Sequence, residues 1–238
     1  FATATMDTTT DAVLPPLTPI SASVSLRDRA YAALKQMITD ADIYARRDEI
    51  RLDERQLSAA LGVSRTPIRE AMTLLEQEGF LRTEPRRGIF IVRKTKKQII
   101  EMIEMWAALE SMAARLATQN ASDADIAALR TVFDEFRTTT PAEHIEEYSE
   151  ANIAFHQAII RLSGSHLMGK TIDNLFIHVR AIRRMTISQS DRAARSIQDH
   201  MRIIEALERR DTELAERLVR QHSLDLAEYV DKYCDFLD

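Results

Sequence analysis

Apolar residues recur at helical spacing along most of this chain. Between 25 and 41 they fall at Leu26, Ala30, Ala33, Leu34, Met37 and Ile38, one stripe of a helix, with Ser25 where an N-cap belongs. The period returns behind Asp53. Asp53 and Gln56 have capping-box spacing, Leu57, Ala60 and Leu61 form the expected buried side, and Gly62 predicts a left-handed C-cap. Val63-Ser64-Arg65-Thr66-Pro67 then opens a third helix. Ser64 is its expected cap, and Pro67 sits in the first turn, where a missing N–H costs nothing. That helix carries Ile68, Ala71, Met72, Leu74 and Leu75 and stops at Gly79. Two short β-prone runs follow, Phe80–Thr83 and Ile89–Val92, around the turn residues Glu84-Pro85-Arg86-Arg87-Gly88. Helix, tight turn, helix and basic hairpin together predict a winged helix-turn-helix.

From about residue 97 onward only the helical period remains. It predicts helices over 97–119, 123–138, 142–163, 168–189, 191–209 and 212–236, broken near Asn120, Thr138–Pro141, Gly164, Gln189 and Asp211. Six helices of that length can bury a shared core as an antiparallel bundle. The expected class is therefore mainly α, in two domains: 23–95 and 96–238. Residues 1–22, rich in Thr, Ala and Pro with little periodicity, are read as a disordered tail.

Composition supports the helical reading. The chain has only 5 Gly and 6 Pro in 238 residues, and three of the Pro lie within Pro15–Pro19. Its single cysteine, Cys234, excludes an internal disulfide framework and a Cys-based zinc site. No apolar run approaches the roughly 18 residues of a membrane span, and the N-terminus lacks the pattern of a signal peptide, so a cytoplasmic protein is expected. Charge adds a different signal. The net charge is −5, yet 55–95 holds 8 Lys/Arg against 4 Asp/Glu. A basic patch on an acidic chain points one end of the molecule at a polyanion.

A winged helix-turn-helix sets its second helix in a major groove of DNA, so the first turn of that helix must offer donors. Ser64, Arg65, Thr66 and Arg69 stand there. Arg65 and Arg69 are four apart on one face, and either guanidinium can fork onto guanine O6 and N7. Ser64, Thr66 and the helix N-terminal amides suit phosphate oxygens. Arg55 can reach the backbone or a base from the preceding helix, and Arg86 and Arg87 at the hairpin tip can enter a minor groove or grip phosphate.

The run Gly62-Val63-Ser64-Arg65-Thr66-Pro67-Ile68-Arg69-Glu70-Ala71, with Leu74–Phe80 and Pro85-Arg86-Arg87-Gly88 after it, resembles the DNA-binding signature of GntR-family bacterial transcription regulators over about 26–93. One departure is visible. The family's usual Gly-x-Leu-x-x-Gly is replaced by Ala41–Arg47, which alters the loop between the first two helices but leaves the motif intact. The resemblance implies a homodimer on a near-palindromic operator.

The helical remainder resembles the FCD effector domain of the FadR subfamily. Trp106-Ala107-Ala108-Leu109-Glu110 and Ala113–Ala117 match its opening helix, and six helices rather than seven suggest the VanR-like branch. Members often hold a metal through an Asp or Asn, a His four residues later and two further His. The matching positions are Asn152, His156, His200 and His222. Their spacing agrees. Asn152 and His156 are i, i+4. His200 and His222 flank Asp211 by eleven residues on each side, a similar height of roughly 16 Å on two antiparallel helices. Zinc is the expected ion, with nickel and iron as alternatives. Asn is neutral where Asp would be anionic, so such a site should favour an anionic ligand. The expected effector is a small carboxylate that releases the DNA, its far end held by Arg180 and Arg184. His144 and His166 are expected on the surface, and His178 is a candidate cavity residue.

Three other functions fit parts of the pattern: a metal-dependent hydrolase, a regulator whose signal is the metal ion itself, and a metal-free regulator with a lipid-like effector. The hydrolase reading leaves the winged helix without a purpose, and no carboxylate among Glu146, Glu147 and Glu150 stands out as a general base.

Overall fold

The computed structural model describes residues 25–41, 43–44, 48–189 and 191–237, with the side chain of residue 137 left out. The expected tail at 1–22 and most of the departing 41–47 loop lie outside the described residues.

The N-terminal head begins with α1 (Leu26–Asp40), capped by Ser25, whose Oγ accepts from the Asp28 amide at 3.0 Å. β1 (Arg51–Leu52) leads into α2 (Glu54–Leu61). Asp53 caps α2 by accepting from the amides of Arg55 and Gln56, and Gly62 ends it at φ 64° and ψ 29°. That left-handed conformation is one a side chain resists and Gly does not. α3 (Arg65–Gln77) follows at once, then the hairpin of β2 (Leu81–Glu84) and β3 (Gly88–Ile91). The expected two-stranded wing is a three-stranded antiparallel sheet, ordered β1-β3-β2, with Arg51 opposite Phe90 and Arg82 opposite Phe90 on the other side. The two residues of β1 are too few to show a period. Leu34, Ile38, Ile68, Ala71, Leu75, Phe80 and Leu81 form the core of the head. The expected burial of α2 is not observed: Leu57 is only half-buried, and Ala60 and Leu61 face outward. Two turns of helix resting on one face of α3 have little to bury against.

Thr95 caps α4 (Lys96–Asn120) in a full capping box with Gln98. α5 (Asp123–Ala127), α6 (Ile145–Leu162), α7 (His166–Ile187), α8 (Arg192–Glu208) and α9 (Thr212–Tyr233) complete the bundle, in which α4 packs along α9. The helix expected over 123–138 is corrected. It runs as α-helix only to Ala127 and continues as a 3-10 segment, Ala128–Arg137, kinked at Phe133 (φ −116°, ψ 15°). The kink sets the Phe133 ring against His200, 4.9 Å between centroids and nearly parallel, and against Phe155 at 5.4 Å. Packing around that aromatic knot overrides the local helical period. Among the described residues no helix is long and apolar enough to cross a membrane.

Candidate DNA-reading face and metal centre

The head presents its expected donors to solvent. Ser64, Arg65, Thr66 and Arg69 are all exposed at the start of α3, while Pro67 and Ile68 turn inward. Ser64 occupies the N-cap position, but its hydroxyl makes no capping bond. The first amides of α3 therefore have no side-chain cap from Ser64. Arg69 Nε donates to Glu54 Oε2 at 2.7 Å, which fixes its side chain across the helix-turn-helix. Arg65 makes no ion pair with a described residue and is the more available of the two. Arg55 is exposed on α2. At the wing tip the Arg87 amide donates to the Glu84 carbonyl at 3.1 Å and closes a four-residue turn. Arg86 holds that turn at φ 65°, a conformation usually left to Gly or Asn, with its side chain exposed. Arg87 is exposed but tied to Glu84 and Glu49 and lies over Phe90.

The bundle does the opposite with its polar groups. His156 on α6, His200 on α8 and His222 on α9 bring one ring nitrogen each to within 4.8 Å of one another. His200 Nε2 lies 3.2 Å from His222 Nε2. Two ligands at about 2.1 Å from one ion stand roughly 2.9–3.4 Å apart in octahedral or tetrahedral geometry, so this spacing fits a shared ion. Each ring is held from behind. His156 Nδ1 bonds Glu110 Oε1 (2.5 Å), His200 Nδ1 bonds the Tyr148 hydroxyl (3.3 Å), and His222 Nδ1 bonds Asp199 Oδ2 (3.5 Å). Partners on all three Nδ1 atoms leave the Nε2 atoms for a ligand, the outer-shell arrangement of histidine metal sites. His156 Nε2 and Asn152 Oδ1 are both buried without a hydrogen-bond partner. Orphaned buried acceptors are costly, and an ion on the cluster would satisfy His156 Nε2. Burial holds the His156 and His200 pKa values well below the ordinary imidazole range, so both are neutral at pH 7, the ligating form.

Glu110 is fully buried on α4 and accepts from Trp106 Nε1 (2.8 Å) and Ser223 Oγ (2.9 Å) as well as meeting His156. Burial pushes its pKa up. Arg183 on α7 is buried beside it, donating to Ser223 Oγ at 3.1 Å, with its pKa pulled down by burial to about 10, so it stays a cation. A cavity of about 640 Å³ opens onto this centre, lined by Asn152, His222, Arg183, Arg192, Ser196 and Tyr229 among others.

Arg180 and Arg184, expected to hold the effector, are not on that wall. Arg180 is spent elsewhere: it bonds Asp40 (2.8 Å) at the end of α1 and Glu150 (3.2 Å) on α6. The cations on the wall are Arg183, Arg192, Arg195 and Lys232, interspersed with the carboxylates Asp191, Asp199, Asp225 and Glu228. A turn of 100° per residue separates Arg183 from Arg184, and the i, i+4 pairing of Arg180 with Arg184 picked the face that looks away from the cavity. His144 and His166 are exposed, as expected. His178 is buried in the contact between head and bundle, where its Nδ1 meets the Tyr44 hydroxyl at 2.7 Å, and it lines a cavity there rather than the one beside the histidine cluster. Sequence reasoning missed Glu110, Arg183, Tyr148 and Asp199. A signal existed for Glu110: it is the single charge in an apolar stripe, Ile99, Ile103, Trp106, Ala113 and Ala117.

Comparison with known proteins agrees with both halves. Residues 26–91 match the model for bacterial regulatory proteins of the gntR family, and 101–225 match the FCD domain. The chain is 30% identical over 171 residues to a probable D-xylose utilization operon transcriptional repressor of Paenarthrobacter nicotinovorans, covering 71% of this chain and 74% of that protein. It is 26% identical to the HTH-type transcriptional repressor RspR of Escherichia coli, over 75% and 78% of the two chains. The fold matches that of E. coli McbR/YncC with a TM-score of 0.72 at 22% identity, covering 90% of this chain and 100% of that one. Both family models, and relatives that are transcription regulators rather than enzymes, place this chain in the GntR family of bacterial regulatory proteins, among those with an FCD domain.

Proposed function

We propose that the protein is a metabolite-responsive repressor that binds a near-palindromic operator as a homodimer and lets go when a small carboxylate enters the bundle cavity. The observation that carries this reading is the convergence of three back-braced histidines behind a cavity whose lining includes His222, the orphaned Asn152 and the cations Arg183 and Arg192.

On DNA, Arg65 and Arg69 read base edges from α3. Ser64 and Thr66 with the α3 amides hold phosphate, Arg55 reaches the backbone, and Arg86 and Arg87 contact the flanking groove. In the bundle, Asn152, His156, His200 and His222 would hold a divalent ion, zinc by preference and nickel or iron as alternatives. When bound, that ion supplies positive charge and open coordination positions for an anion. Three imidazoles and a carboxamide add no negative charge of their own. The two carboxyl groups behind them have cations of their own: Glu110 lies beside Arg183, and Asp199 pairs with Arg202. The wall cations Arg183 and Arg192 take the place expected for Arg180 and Arg184 and face the carboxylate.

α7 is the element that connects the two functions. It carries Arg183, Thr186 and Ile187 on the cavity wall and, one to two turns earlier, His178 and Arg180 against Tyr44 and Asp40 of the head. A ligand that binds two positions of α7 unequally shifts the head by that difference in affinity. Native mass spectrometry of chelator-free protein reads subunit count and metal, and operator binding with and without di- and tricarboxylates reads control. A two-metal dimer whose operator affinity falls at least tenfold with one acid is expected. Metal-free protein, or affinity that follows metal loading and ignores every acid, would replace this reading with a lipid-like effector or with the ion as signal.

A further inference from the structure

A second pocket, of about 360 Å³, lies where the head meets the bundle. The α3–β2 corner supplies Glu78, Gly79 and Phe80, α4 supplies Met102 and Met105, α7 supplies Leu175 and His178, and Lys94 comes from the linker. A short hydrogen-bond chain runs along its base. The Lys94 amide donates to the Tyr44 hydroxyl at 3.3 Å, so that oxygen already accepts one bond. Its own proton has no acceptor among the described residues except His178 Nδ1 at 2.7 Å. With the Tyr44 proton given to Nδ1, the neutral imidazole carries its ring proton on Nε2. That Nε2 is buried, on a side chain 2% exposed, and has no partner. Burial and the nearby Lys94 charge hold the His178 pKa at about 3, in keeping with a neutral ring.

A buried donor without an acceptor calls for one. The charges around the pocket indicate which kind. Glu78 is occupied by Tyr31 and Lys35, and Glu101 has Lys97. The Lys94 ammonium makes no ion pair among the described residues. The apolar part of the wall is Phe80, Met102, Met105 and Leu175, with the neutral side chains Gln98 and Asn174 beside it. We propose that this interdomain pocket is a second ligand site, separate from the bundle cavity, for a hydrophobic monocarboxylate. Its carboxylate accepts the His178 Nε2 proton and faces Lys94, and its apolar body lies on Phe80, Met102, Met105 and Leu175. A ligand there touches the head and both bundle helices at once, so it fixes the angle between them.

The probes are octanoate and benzoate, with octylammonium as the control of opposite charge. Ring-nitrogen NMR of the full chain, labelled at histidine, reads the site directly. The His178 Nε2 signal is expected to move with at least one acid and to stay put with octylammonium. Affinity by calorimetry is expected to fall at least tenfold in Lys94→Gln and in Met105→Trp, the latter filling the pocket from an exposed position. It is expected to persist in a His156→Ala, His222→Ala protein. Silence at His178 with both acids, or unchanged affinity in both pocket variants, overturns the proposal. Acid binding that vanishes in the His156→Ala, His222→Ala protein also overturns it while supporting the effector site of the bundle.

Discussion

The head and the bundle handle their functional side chains in opposite ways. Arg55, Arg65, Arg69 and Arg86 stand in water, come from one continuous stretch of about thirty residues, and depend on the fold only for their mounting. Glu110, His156, Arg183, His200 and Ser223 are buried, come from five different helices, and hold one another in place. An exposed group is solvated whether or not its partner arrives, so a DNA contact can be removed without harming the domain. A buried polar network is stable only when complete, because each missing member leaves another desolvated and unpaired. The comparison therefore predicts that changes in the head alter binding and spare stability, while changes in the bundle alter both.

The largest expected effect tests the bundle half. Glu110→Ala takes an acceptor from Trp106, Ser223 and His156 and leaves the Arg183 charge alone in the core. It should cost about 3–5 kcal/mol in urea unfolding. A loss under 1 kcal/mol would show that the network is not coupled. Next is metal addition. Zinc at 100 times its dissociation constant should stabilise the chelator-treated protein by about 2.7 kcal/mol, read as a rise in Tm, and His200→Ala should abolish the rise.

The head is tested by Arg65→Ala. It should weaken operator binding by about 1–3 kcal/mol and relax preference at one base pair, with stability changed by no more than roughly 0.5 kcal/mol. Equal loss on operator and random duplex would instead assign Arg65 to phosphate. Acid sharpens the comparison. Imidazoles whose folded pKa is depressed contribute stability that is complete above the unfolded value near 6.5. For His178 it is lost as pH falls from there toward about 3, because the unfolded chain binds the proton first. Each such histidine adds a slope of up to about 1.4 kcal/mol per pH unit, and His156 and His200 add to it in the same direction. Denaturation of metal-free protein across pH 7 to 4 measures the sum. A curve flat below pH 6 would mean that these rings are hydrated. A small stability effect is also expected at the bridge between the regions. Arg180→Ala breaks pairs with two half-exposed carboxylates, so less than about 1 kcal/mol should be lost. Its signature is instead a changed ratio of operator affinities with and without effector.

The head was legible because its signals are local. Gly62, Ser64 and Pro67 mark a turn between two helices within six residues, and the wing turn is written in Pro85 and Gly88. The metal candidates were legible for a similar reason. An i, i+4 pair and two positions equidistant from a helical turn carry their geometry in their spacing. The 3-10 kink at Phe133, the outward Leu61 and the choice of Arg183 over Arg180 were not legible. Each depends on which neighbour a face meets, and periodicity specifies a face without naming its partner.

The amino-acid order alone thus determined where most of the helices and the wing hairpin run, that a basic motif precedes an acidic bundle, and that His200 and His222 share a height. Tertiary packing alone decided that Glu110, Tyr148 and Asp199 brace the three histidines and that α7 presents Arg183 to the cavity and Arg180 to the head. Local backbone preferences act over a few residues. The desolvation that makes a buried carboxylate or imidazole seek one particular partner acts only after distant helices have closed around it.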